Sequence, residues 1–121
     1  MTDATEDGSL TTQVRGILGC VLRQVDFPGR DELLRQVQSV DVVGGPVAML
    51  DLRVGDRRLA SPFPDGPAPL SAMVTDPVGT ANGELLLWVK DGFLSALEYA
   101  WWTSEPPEHM PSVDHVQVTQ K

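Results

Sequence analysis

His109 and His115 are the only histidines in the chain, and with Glu105, Glu108 and Asp114 around them they form the one stretch where metal-ligand residue types crowd together. A metal site needs several donors held in fixed geometry. Pro107 and Pro111 keep this stretch extended, so exposed residues are expected there, with no metal and no cofactor. Nucleophilic chemistry has no better footing. Ser61, Ser71 and Ser95 lack the glycine-framed strand-to-helix turn that activates a hydrolase serine. Cys20 falls on the expected dry stripe of a helix, where a thiol is inert. Asp51, Glu98 and Glu84 are the carboxylates on or beside expected strands, and acid–base work would require two of them close together with one pKa raised. Sequence spacing does not bring them together, so solvated strand-face residues, or partners of Arg53 and Lys90, are the expectation. Gly44-Gly45-Pro46 lacks the following lysine and helix of a phosphate-binding loop and reads as a sharp bend.

Recognition is the better-supported chemistry. Trp88, Tyr99, Trp101 and Trp102, with Glu98 among them and Glu105 just beyond, make up the candidate partner-binding set. Tryptophan and tyrosine bury large area and dominate interface energetics when a polar rim surrounds them. The competing expectation is that the same rings form core.

The elements that must position these residues begin with a β-hairpin. Glu84 to Lys90 and Phe93 to Trp102 are strand-like runs that meet at Asp91-Gly92, a pair suited to a two-residue turn whose central residues both need positive φ. Ideal pairing sets Val89 opposite Leu94, Leu87 opposite Ala96 and Leu85 opposite Glu98. Trp88, Leu86, Leu97 and Tyr99 then share the second face, although a bulge would exchange the faces. Ahead of the hairpin, Val14, Ile17, Leu18, Val21, Leu22 and Val25 recur at helical spacing, with Thr11 or Thr12 as the expected cap. Gly16 and Gly19 weaken that helix by roughly 1 kcal/mol each. Pro28 opens a second helix, with Leu33, Leu34 and Val37 as its stripe. Val40 to Val43 and Val47 to Val54 read as strands, the latter with Ala48, Leu50, Leu52 and Val54 on its dry side. Ser61 to Pro69 carries four prolines and reads as a surface connection. Leu70 to Thr75 is a further short strand, and Val113 to Val118 an edge strand.

Charge narrows the partners. The chain carries a formal −8, distributed as −2 over residues 1–58 and −6 over residues 59–121. That field repels phosphate backbones and anionic lipid and favours basic proteins, so no nucleic acid and no membrane are expected as partners. The longest purely apolar run, Leu85 to Val89, is far short of a bilayer span. Asp3, Glu6 and Asp7 stand where a secretory signal would be basic, and Cys20 has no disulfide partner, so a cytoplasmic setting is expected.

Asp26-Phe27-Pro28-Gly29 ahead of Glu32-Leu33, the run from Leu85 to Glu98, and Glu105-Pro106-Pro107 together resemble a group of small actinobacterial cytoplasmic proteins without assigned activity. The resemblance spans residues 20–110 and implies a bacterial α+β domain. Members carry a cysteine- and glycine-rich segment where this chain has Val43-Gly44-Gly45-Pro46-Val47, so no thiol chemistry is implied there.

The expectation is therefore an α+β fold: two N-terminal helices packed on an antiparallel sheet of about four strands with a central β-hairpin. A mobile acidic tail covers 1–10, one domain covers 11–118, and 119–121 form the end. The expected function is a small acidic non-catalytic interaction module, of the immunity or antitoxin-like kind, directed at a basic protein. The alternative is a small-molecule binder or enzyme with a carboxylate-bearing cleft between helices and sheet. A third expectation is homodimerisation through a hairpin edge or the uncovered sheet face.

Overall fold

The structure, a computed structural model, describes residues 2–121, and the side chains from residue 10 onward. Helix α1 spans Thr2–Arg23. Its backbone is helical well ahead of Thr11 and Thr12, the expected caps, and through residues 2–10 of the expected tail, of which Met1 and the side chains of residues 2–9 lie outside the described part. The stripe from Val14 through Val25 is buried along its whole length. Each large apolar side chain removed from water in this way contributes roughly 1.5–3 kcal/mol, which outweighs the glycine penalties. Cys20 is half-buried rather than on the dry stripe, and its Sγ and carbonyl oxygen both accept from Gln24 Nε2.

Helix α2, Arg30–Gln36, runs into a 3-10 turn over Val37–Ser39. Asp31 and Glu32 lie in its first turn and Arg35 in its last, each favourable to the helix dipole. Leu33 and Val37 are buried as expected, but so is Gln36.

Both helices cover one face of a seven-stranded antiparallel sheet. Its strands are β1 Val40–Gly44, β2 Met49–Val54, β3 Gly66–Pro67, β4 Leu70–Thr75, β5 Ala81–Lys90, β6 Phe93–Trp101 and β7 Val116–Gln120. Six form the continuous order β1-β2-β6-β5-β4-β7, and β3 pairs with β5. The strand number exceeds the expected four because the connections and ends also pair. Strand β3, from the proline-rich connection, pairs with β5 at Val89 and Trp88, and Ala68 N–H donates to Leu87 O, so it lies alongside that strand and does not roof the sheet. In β2 the dry side is Leu50, Leu52 and Val54, and Met49, Asp51 and Arg53 face away.

The β5–β6 hairpin turns at Asp91 and Gly92, with φ of 53° and 84°. Val89 pairs with Leu94 as expected, but Trp88 then pairs with Ala96, leaving Ser95 as one extra residue on β6. That bulge corrects the remaining register: Leu87 opposes Leu97 and Leu85 opposes Tyr99. Strict alternation would separate Leu94 from Leu97, which are an odd number of residues apart. The extra residue lets both reach the helix-covered face, together with Tyr99.

Candidate functional site

The sheet has two ends of different character. At the end holding the Asp91-Gly92 turn, the connection after β2 and the hairpin converge on buried Gln36. Its Nε2 donates to the Leu59 and Gly92 carbonyls, each at 2.8 Å, and its Oε1 accepts from Leu94 N–H at 2.9 Å. Ser61 N–H also donates to Gly92 O, Ser61 Oγ donates to Gly29 O, and Asp91 N–H donates to an Asp65 carboxylate oxygen. The Arg57 guanidinium lies 3.7 Å over the Phe93 ring, and Phe27 meets Phe63 edge-on. Every polar atom of the buried Gln36 amide that faces these segments is engaged, so this cluster is a structural clamp.

The opposite end is formed by the finish of β1, the start of β2, the β4–β5 turn, the finish of β6 and the start of β7. The β6–β7 connection must pass along it, because β5 and β4 lie between those strands. All of the exposed large hydrophobic residues among the described ones sit here: Val43, Met49, Val78, Trp101, Trp102 and Val113. Val78 is 86% exposed, Trp102 56% and Trp101 40%. The segments that build this end, residues 43–50, 75–84 and 98–116, contain Asp76, Glu84, Glu98, Glu105, Glu108 and Asp114, and no lysine or arginine. Asp76 organises the β4–β5 turn by accepting from Val78 and Thr80 N–H groups.

Within this frame the expected site residues separate. Trp101 and Trp102 are exposed at the end of β6, with Trp102 N–H donating to Asn82 O. Glu105 is exposed in the connection, its carbonyl accepting from Thr103 Oγ1. Trp88 and Glu98 lie half-buried on the sheet face turned away from the helices, and Trp88 Nε1–H donates to Glu98 Oε1 at 2.9 Å. Tyr99 does not join them. It is 7% exposed on the helix-covered face, its hydroxyl 3.4 Å from Asn82 Oδ1, and burial raises its pKa. The bulge is the reason: it carries Tyr99 to the face opposite Glu98 and Ala100. Gly83 makes room for the ring, since a Cβ there would stand 2.6 Å from Tyr99 Cε1.

Asp51 and Glu98 both face away from the helices, and the buried polar side chains among the described residues are Gln36 and Ser61. The space between helices and sheet therefore holds neither carboxylate of the expected cleft. A shallow hollow of about 180 Å³ on the open side is lined by Pro67, Pro69, Leu86, Glu84 and Lys121 among others. His109 and His115 belong to the acidic end, and among the described residues no group of three His, Cys, Asp or Glu side chains is placed to hold a metal ion. No described helix is long and apolar enough to cross a membrane.

Sequence reasoning overlooked Val43, Met49, Val78 and Val113. Val43, Val78 and Val113 each stand beside glycine, proline or an acid, and an apolar residue in such a setting is the signal that was available; Met49, between Ala48 and Leu50, carries no such signal. No family model, curated protein or solved structure matches the chain.

Proposed function

We propose that this chain is a small non-catalytic interaction module of the bacterial cytoplasm that presents the acidic, tryptophan-bearing end of its sheet to a basic protein, as an immunity or antitoxin-like inhibitor would. One observation carries the reading: the segments that bear the exposed large hydrophobic residues hold six acids and no lysine or arginine of their own, although Glu84 shares a hollow with Lys121. Apolar groups give such a contact its lifetime by burial, and the uncompensated acids give it speed and selectivity by attracting a cationic surface. An anionic membrane or a nucleic acid would be repelled by the same acids. Trp101 and Trp102 are the central anchors, with Met49 and Val78 flanking and Glu98 and Glu105 on the rim.

The test is a titration of the chain with basic proteins encoded beside it, followed by tryptophan fluorescence and calorimetry. The expected result is a blue shift of the exposed indoles, an affinity that falls as salt is raised, and loss of binding in a Trp101→Ala, Trp102→Ala double variant. Binding that ignores both salt and the double substitution would contradict the proposal.

A further inference from the structure

The two outer edges of the sheet are finished differently. At β1, helix α1 occupies the free backbone groups: Arg15 Nε donates to Val40 O at 2.8 Å, and Thr11 Oγ1 accepts from Val42 N–H at 3.3 Å. Arg15 also pairs with Asp41. That edge is closed to further strands. β7 pairs with β4 on one side only, and among the described residues nothing bonds to the other side of its backbone. Alternate residues of an edge strand direct N–H and C=O groups outward, and an edge left in this state is a template for another strand. Gln120 reaches Asp26 through its side chain, which lies toward the helices and leaves the backbone edge open.

We infer that β7 pairs antiparallel with β7 of a second copy, joining two sheets into one across a two-fold axis. Three features select a copy of this chain as the occupant. Val116–Gln120 (VQVTQ) carries no charge, so a molecule with a net charge of −8 can meet itself there without facing like charges. The strand alternates valines on the helix side with Gln117 and Thr119 on the open side. A two-fold axis normal to the sheet keeps those faces aligned only when the residue numbers of a pair sum to an even value, which leaves Val118 opposite itself, or Gln117 opposite itself, as the central registers. Finally, β7 follows an acid, Asp114, and is followed by a base, Lys121. In either register Lys121 of the copy falls beside Val113 or His115, adjacent to Asp114, and symmetry repeats the attraction at the other end. A parallel arrangement would set Asp114 beside Asp114 and Lys121 beside Lys121.

This surface uses none of the tryptophan anchors and shares only one acid, Asp114, with the acidic end, so the Thr119→Lys arm tests it independently of the proposed function. The experiment is sedimentation of the full 121-residue chain across a wide concentration range, with circular dichroism to verify that each variant is folded. The expected result is a species of twice the 13.1 kDa chain mass. Lys121→Glu should raise its dissociation constant roughly three- to thirtyfold, because two exposed attractions become repulsions, and adding Asp114→Lys to Lys121→Glu should restore it. Thr119→Lys, which places a charge on the edge itself, should dissociate the pair while leaving the tryptophan surface intact. A monomer at every concentration, or a dimer indifferent to the charge swap and to Thr119→Lys, would overturn the inference.

Discussion

The two ends of the β5–β6 hairpin belong to the same pair of strands, yet one is held by polar contacts from three directions and the other is left apolar and exposed. At the turn end, Gln36, Ser61 and Asp65 reach the backbone at Gly92, Leu94 and Asp91. At the far end, Trp101 and Trp102 project beyond the cover of the helices, among acids. Stability is concentrated at one end and the proposed recognition surface lies at the other, so substitutions should divide cleanly between loss of folding and loss of binding.

The largest expected effect comes from breaking the clamp. Gln36→Ala leaves the Leu59 carbonyl and the Leu94 N–H short of a partner in a dry setting, while Gly92 O keeps Ser61 N–H, and should cost about 2–4 kcal/mol in urea unfolding. Glycine substitutions sharpen the contrast. Gly92→Ala would place a Cβ 2.6 Å from Ser61 O at a φ of 84°, whereas Gly79, at a φ of 91°, has nothing within 4 Å. The first should destabilise by roughly 2–4 kcal/mol and the second by about 1 kcal/mol, from backbone strain alone. Trp101→Ala and Trp102→Ala should change stability by less than about 1 kcal/mol, while abolishing binding of a basic partner.

The smallest effect is a titration. Tyr99 is the sole tyrosine, and its pKa is raised from the model-compound value of 10.0 by burial. A raised folded-state pKa means that the native protein holds the phenolic proton more tightly than the unfolded chain does. Its contribution to stability is thus complete below pH 10 and declines as pH rises through the folded-state pKa. Absorbance at 295 nm should show a midpoint above 10 in the native chain and near 10 in urea, and equal midpoints would contradict the burial of Tyr99.

Much of the fold could be read from local pattern. The α1 stripe and the dry side of β2 are periodic over several residues, and Asp91-Gly92 carries its own turn chemistry, so each was legible without tertiary information. Gln36 was not, because a polar residue beside Leu33, Leu34 and Val37 looks like the wet side until the hairpin turn supplies its partners. The placement of Tyr99 was hidden for a related reason: register beyond a bulge depends on which apolar residues the rest of the core has room to accept. Of the candidate site, Trp101, Trp102 and Glu105 were legible as composition. Their convergence with Met49, Val78 and Val113 depends on strand order, which no single stretch of sequence encodes.

Ser95 gives the bulge a genetic consequence. Losing that one codon would preserve the reading frame and, because Ser95 is the unpaired residue, would keep Leu94 opposite Val89, Ala96 opposite Trp88 and Leu97 opposite Leu87. Leu97 and Tyr99 would stay on the helix-covered face with Leu94, now by plain alternation, and Glu98 would stay on the open face. Omission of this small, half-exposed serine should therefore be tolerated far better than omission of Glu98, which would turn Tyr99 and the rest of the strand over.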